Sequence, residues 1–289
     1  MRFRYVELAA ADPAALADYY KDALDFSDSP SGEGKWLSGP GRVLSAPGCP
    51  AGGPVFGFVR AKRKAPLRAC DRGYAHVCFE TRDVRGSVGQ FVRRGGTIVS
   101  RLPFMERQPA VYCADPEGNL VEFHIPFPKE GAPGEYALAL GSALGLEKDR
   151  RLRFLHVNIV TPDWAGLCGF YRSGFLYDTV GRLRDYSGRY IGGLTGLPGV
   201  SVTGKHVWLT GYGYGYPTLE IFTYTGAGSA APGADGDSGF RAIGFAAADM
   251  ERGISAVVSA GGVPERRDGD RAELLDVSGN KIIIMEEQI

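Results

Sequence analysis

Four times along the chain, a run of alternating apolar and polar positions ends on an aspartate and gives way to an apolar stripe at helical spacing. The runs are YVELAAAD ending at Asp12, HVCFETRD at Asp83, HVNIVTPD at Asp163 and AIGFAAAD at Asp249. A period of two predicts strands with one face buried. The stripes that follow predict amphipathic helices: Leu16, Tyr19, Tyr20 and Ala23; Val84, Val88, Phe91 and Val92; Leu167, Phe170 and Tyr171; Ile254, Val257 and Val258. Each aspartate stands where a helix N-cap should, its carboxylate able to accept from the free N–H groups of the first turn.

The four units are of two alternating kinds. In the first and third, a tyrosine lies eight residues after the aspartate (Tyr20, Tyr171) and an aromatic fourteen after it (Phe26, Tyr177). In the second and fourth, a glycine pair begins twelve residues after it (Gly95-Gly96, Gly261-Gly262), and the final strand follows a DPEGN or DVSGN turn at 115–119 and 276–280. So many matching offsets indicate a doubled pair of modules. The first pair is expected over 1–127, a Pro/Gly-containing connector over 128–150 and the second pair over 151–289.

Composition adds mainly exclusions. Lys+Arg and Asp+Glu both number 33, so the net charge is zero, which argues against a nucleic-acid or anionic-membrane partner held by bulk electrostatics. A local basic cluster, Arg60, Lys62, Arg63, Lys64 and Arg68, reads as a solvated connector rather than an anion-steering patch. No apolar stretch reaches membrane-spanning length, and the N-terminal segment lacks the apolar core of a signal peptide. The five cysteines show no CxxC spacing, so reduced thiols in a cytoplasmic protein are expected. A small-molecule substrate is the expected partner, with the chain a monomer or homodimer.

FLHVNIVTPDWAGLCGFYRSGF, GYPTLEIFTY and AVYCADPEGNLVEF carry a resemblance to the vicinal-oxygen-chelate superfamily, which includes glyoxalase I, extradiol dioxygenases and bleomycin-resistance proteins. The resemblance implies an α+β fold of four βαβββ modules forming two curved mixed sheets, each sheet shaping a cup. It also implies one divalent ion (Ni, Co, Zn, Mn or Fe) held by side chains from the first and last strands of paired modules. The first-strand position, seven residues before each capping aspartate, holds Tyr5, His76, His156 and Ala242; the last-strand position holds Gly57, Glu122, Glu220 and Ile283. Modules two and three therefore each carry His plus Glu, and modules one and four carry neither. The full set His76, Glu122, His156 and Glu220 forms only if the inner modules pair with each other, leaving the outer pair to close a vacant, metal-free cup.

Strand alternation places further candidates on the substrate side: Cys78, Asn158, His124, Phe222 and Tyr224, with His206 and Trp208 on a neighbouring strand. Structural roles compete for several of these. His124 is expected to be structural, Cys78 a small buried filler, and His206 equally suited to packing in mid-sheet. The tyrosines of GYGYGYP (211–217) could form a turn or an aromatic lid. Three chemistries stay open. A glyoxalase-like lyase, isomerase or epimerase would use Glu122 or Glu220 as the catalytic proton carrier. An Fe(II) ring-cleaving dioxygenase would need two His and one carboxylate with open positions. A non-catalytic antibiotic- or metabolite-binding protein would use an apolar cup. The first is the expected class.

Overall fold

The computed structural model describes residues 1–29, 33–49, 53–62, 67–102, 109–126, 151–209, 216–230 and 237–287. The expected connector at 128–150 and most of GYGYGYP (211–215) lie outside the described residues. Module one runs β1 (Arg2–Ala10), α1 (Pro13–Leu24), β2 (Ser27–Asp28), a 3-10 turn at Glu33–Trp36, β3 (Gly41–Ser45) and β4 (Val55–Arg60). Module two runs β5 (Gly73–Glu80), α2 (Val84–Arg93), β6 (Thr97–Ile98), β7 (Ala110–Ala114) and β8 (Leu120–His124). Module three runs β9 (Arg153–Val160), α3 (Trp164–Phe175), β10 (Tyr177–Tyr186), α4 (Gly188–Thr195), β11 (Ser201–Leu209) and β12 (Thr218–Thr225). Module four runs β13 (Gly239–Ala247), α5 (Met250–Ser259), β14 (Val263–Asp268), β15 (Arg271–Leu275) and β16 (Lys281–Glu286).

All four aspartates cap their helices. Asp12, Asp83, Asp163 and Asp249 accept from the backbone N–H of Ala15, Gly86, Gly166 and Arg252. Such caps each contribute about 1 kcal/mol. The glycine pairs follow the even helices because the chain must turn through positive φ there, 113° at Gly95 and 104° at Gly261.

The modules assemble into two eight-stranded mixed sheets, β14-β15-β16-β13-β1-β4-β3-β2 and β10-β11-β12-β9-β5-β8-β7-β6. Module one thus joins module four through antiparallel β1 and β13, and module two joins module three through antiparallel β5 and β9. Each sheet draws one module from each half of the chain. At the β5–β9 seam a wholly buried ion pair, Arg153 Nε to Glu80 Oε2 at 2.9 Å, ties the two inner modules together.

Modules adjacent in sequence meet instead through helices and turns. Tyr19 of α1 sets its ring edge-on to Phe91 of α2, with centroids 5.2 Å apart. Tyr20 donates from its hydroxyl to Asp115 Oδ2 at 3.1 Å, and Asp115 also accepts from Asn119 and from the backbone of Glu117 and Asn119. Tyr171 of module three faces Asp276 of module four at the equivalent place, close enough to interact electrostatically but without the direct hydrogen bond. The tyrosine of the odd modules and the Asp-x-x-Gly-Asn turn of the even ones are therefore two halves of one contact. Tyr20→Phe removes a donor from a buried carboxylate, so it is expected to lower unfolding stability by about 1–2 kcal/mol. A denaturant midpoint unchanged from wild type would show that the bond carries no weight.

One large core lies between the sheets and under the helices. Phe3, Phe56, Phe79, Phe154, Phe175 and Phe245 are among its buried rings. The opposite, concave faces form the two cups. The expectation of a vacant outer cup is corrected by Trp36. This residue is 3% exposed and sits in a buried group with Tyr5, Val55, Ala242, Ala246, Ile283 and Met285. Its ring stacks on Tyr5 with centroids 5.5 Å apart. Beside it the buried Glu7 accepts from Tyr5 Oη at 2.8 Å and from the Ser38 backbone N–H and hydroxyl at 2.9 and 2.8 Å. Glycine is required at Gly57 because a Cβ there would strike the Tyr5 ring and Leu37, and at Gly244 because it would strike Trp36. The outer cup is filled by the protein's own side chains.

Candidate metal centre

His76 lies on β5 and His156 on β9, the two strands of the inner seam. Glu122 lies on β8, parallel to β5, and Glu220 on β12, parallel to β9. Alternation turns each of these side chains to the concave face, while Val77, Val121, Val157 and Ile221 point into the core. A register irregularity in β5 between Tyr74 and His76 returns the histidine to the cup side.

The four side chains converge. His76 Nε2 is 3.0 Å from Glu122 Oε2 and 3.7 Å from Glu220 Oε2. His156 Nε2 is 3.4 Å from Glu122 Oε2, 3.3 Å from Glu220 Oε2 and 3.3 Å from His76 Nε2. The four donor atoms all lie within 4.8 Å of one another. Donors about 2.1 Å from a shared ion sit roughly 3.0–3.5 Å apart, so these separations suit a first-row divalent cation. Both imidazoles meet the centre through Nε2; their Nδ1 atoms are buried without a hydrogen-bond partner.

The electrostatics suit it as well. Both carboxylates are buried, which by itself favours their neutral form. His156 and His76 outweigh that effect at Glu122, and His156 and His206 do so at Glu220, so both acids are held well below the usual carboxylate range. Burial likewise opposes charge on His156, yet Glu220 and Glu122 push its imidazolium up to about 9. Without a metal, the His156 imidazolium faces two buried carboxylates. A divalent cation with neutral imidazoles would balance the set.

Other candidate residues divide. Asn158 Nδ2 donates to Glu220 Oε2 at 3.0 Å. His206 stands directly across β11 from Glu220, with its Nε2 3.1 Å from Oε1 and its Nδ1 2.9 Å from Thr218 Oγ1. Burial lowers its imidazolium to about 4, so the ring is neutral. Cys78 lies against Glu122, buried and with its thiol held protonated. Phe222 and Tyr224 line the cup beside the site, and Trp208 is half-buried farther along β11. His124 stands apart from the four at the end of β8, its Nδ1 against the carbonyl of Ile125.

Three contributors escaped the sequence reading. Tyr112, directly across β7 from Glu122, sets its ring against His76 with centroids 4.8 Å apart. Helix α4 covers the cup with Ile191 and Leu194, buried alongside Tyr112 and Phe222. Tyr190 on the same helix is near enough for Glu122 and Glu220 to raise its hydroxyl, after burial has done most of that work. Only Tyr112 had a readable signal, since hairpin pairing around DPEGN places it opposite Glu122.

Two packed sheets of paired βαβββ modules, with two His and two Glu meeting in one cup, define a protein of the vicinal-oxygen-chelate fold. Comparison with known proteins agrees: residues 5–124 match the family model of the glyoxalase-like domain. A point variant of glyoxalase I from Zea mays superposes with a TM-score of 0.66 at 14% identity, covering 99% of this chain and 92% of its own. A putative dioxygenase from Bacillus subtilis superposes at 0.62 with 12% identity, covering 100% and 86%. No curated protein matches the chain by sequence. Residues 5–124 thus match a glyoxalase-like domain, and the chain as a whole shares the fold of these glyoxalase and dioxygenase structures.

Proposed function

We propose that the protein is a divalent-metal-dependent enzyme of the glyoxalase-like lyase or isomerase class, acting on a small molecule that presents two neighbouring oxygens. The observation that supports this most is the convergence of His76, Glu122, His156 and Glu220, two complete His/Glu pairs from modules in opposite halves of the chain. An ion held by them would supply Lewis-acid polarisation of a substrate oxygen. The chain's own residues account for the remainder. Glu122 and Glu220 are ionised and buried, so either can take a proton from a carbon beside a carbonyl and return it. Tyr112, Phe222 and the apolar side of α4 wall the cup and keep water from the reacting carbon.

Ring-cleaving chemistry is the second reading, and the likeness to the putative dioxygenase motivates it. It requires one carboxylate to stand away from the metal. Glu220 is held toward the cluster by Asn158 and His206, which favours the four-donor set.

Elemental analysis of the purified protein, followed by NMR of small α-hydroxycarbonyl compounds incubated with it in D2O, tests the proposal. The expected result is about one nickel, cobalt, zinc or manganese per chain. Chelator-sensitive deuterium uptake beside the carbonyl should accompany it. Bound iron with oxygen consumption on catechols would move the protein to the second reading. A metal-free protein indifferent to chelators would overturn both and leave a binding role.

A further inference from the structure

The two halves of the metal centre are related by a pseudo-twofold axis, and the surroundings of the two glutamates break that symmetry twice in the same direction. The residue two positions after the histidine faces the glutamate across a parallel strand pair. It is Asn158 beside Glu220 and Cys78 beside Glu122. The residue directly across the following hairpin is His206 opposite Glu220 and Tyr112 opposite Glu122.

The consequences differ in donor strength. Glu220 Oε2 accepts from the Asn158 amide at 3.0 Å, and Glu220 Oε1 lies 3.1 Å from His206 Nε2. His206 is itself anchored, with Nδ1 2.9 Å from the Thr218 hydroxyl. The carboxylate oxygen of Glu220 can only accept, so the ring proton sits on Nε2 and the Thr218 hydroxyl donates to Nδ1. Both Glu220 oxygens therefore have a neutral protein donor, and neither donor is a member of the proposed ligand set. Among the described residues outside the ligand set, Glu122 has only the Cys78 thiol, a weak donor, because the Tyr112 ring is turned against His76 instead. Outside the ligand set, no described residue of comparable donor strength holds Glu122 in place.

Resting on the metal-centre reading above, we infer that Glu220 is the fixed carboxylate of the centre and Glu122 the displaceable one that carries the proton, with His206 the positioning residue that holds Glu220 in place. The substrate C–H bond that breaks gives its proton to Glu122 and leaves its electron pair in the substrate. Return of that proton to the neighbouring carbon restores both, so no redox partner is needed.

Cobalt(II) titration of the apo protein against a chromophoric chelator, together with the cobalt absorption spectrum, reads this without turnover. Glu122→Gln should keep cobalt affinity within about tenfold of wild type, whereas Glu220→Gln should lose roughly a hundredfold or more. His206→Ala should lose about 10–100-fold and alter the cobalt spectrum, because the partner orienting a ligand is gone. His206→Gln, whose amide can still donate to Glu220, should recover most of the loss; this separates positioning from a general packing defect. Equal losses for the two glutamate variants, or a His206→Ala protein with wild-type affinity and spectrum, would overturn the assignment. Wild-type protein that binds no cobalt would overturn it too, and would identify the metal-centre reading itself as the failure.

Discussion

His156→Ala is expected to abolish stable metal loading while leaving the fold intact. Tetrahedral sites with four protein donors bind with apparent free energies of about 10–16 kcal/mol, so one donor's share is about 3 kcal/mol, roughly a hundredfold in affinity. The loss should be larger than this share implies. His156 lies within 3.3–3.4 Å of both carboxylate oxygens and of the other imidazole, so its removal opens the middle of the cluster rather than one corner. Glu220→Ala should act in the same sense, and it also leaves the Asn158 amide and His206 Nε2 without their acceptor. Tyr5→Ala is the contrasting variant. Tyr5 occupies the equivalent first-strand position of module one, but it packs on Trp36 in the filled outer cup. Its loss should lower stability by about 3–5 kcal/mol, as for other buried aromatics, without touching metal content. Mass-spectrometric metal analysis of the three variants decides the matter. Equal occupancy in all of them would remove the basis for assigning the inner cup as the metal centre.

The inner pairing was legible because the chemistry was distributed unevenly. Two His/Glu pairs sat in modules two and three, and only one assembly brought four donors together; the β5–β9 seam is that assembly. The four helix starts were legible because an N-cap is a local device, settled within three residues of each aspartate. Trp36 was not legible. It lies in a 3-10 turn between β2 and β3, with no periodicity around it, and only the three-dimensional path of that loop carries the ring into the outer cup. Helix α4 was missed for a related reason: GRYIGGLT is glycine-rich and short, so propensity argues for a turn. Burial of Ile191 and Leu194 against the cup wall overrides that preference. His206 was visible as a candidate but not as a partner of Glu220, because a gap of fourteen residues fixes a cross-strand pair only once the hairpin register is known. The residues that read poorly are thus those whose role depends on a loop or a register, and they include the ones that distinguish Glu220 from Glu122.

Metal affinity is expected to climb about tenfold per pH unit through the neutral range, a change of roughly a hundredfold between pH 6.5 and 8.5. The cause lies in the same cluster. In the metal-free protein Glu220 and Glu122 outweigh burial and push the His156 imidazolium up to about 9, whereas a metal ligand must be neutral. Each ion that binds below that pH therefore displaces the His156 proton, and proton and metal compete for that nitrogen. Both glutamates are held well below the usual carboxylate range, so they contribute no second proton near neutrality. The same raised value governs the stability of the metal-free protein, with opposite sign. The folded state binds the His156 proton more tightly than the unfolded chain, whose histidine titrates near 6.5. This contribution is fully present below about pH 6.5 and disappears as pH rises through about 9; the shift corresponds to a few kcal/mol. Metal-free protein should accordingly become less stable between pH 7 and 9, while loaded protein holds its melting temperature, since the ion has taken the proton's place. Calorimetric titration in buffers of different ionisation enthalpy counts the released proton directly. Zero protons per ion at pH 7, or an affinity flat across that range, would mean that His156 does not carry the charge on which the cluster's balance depends.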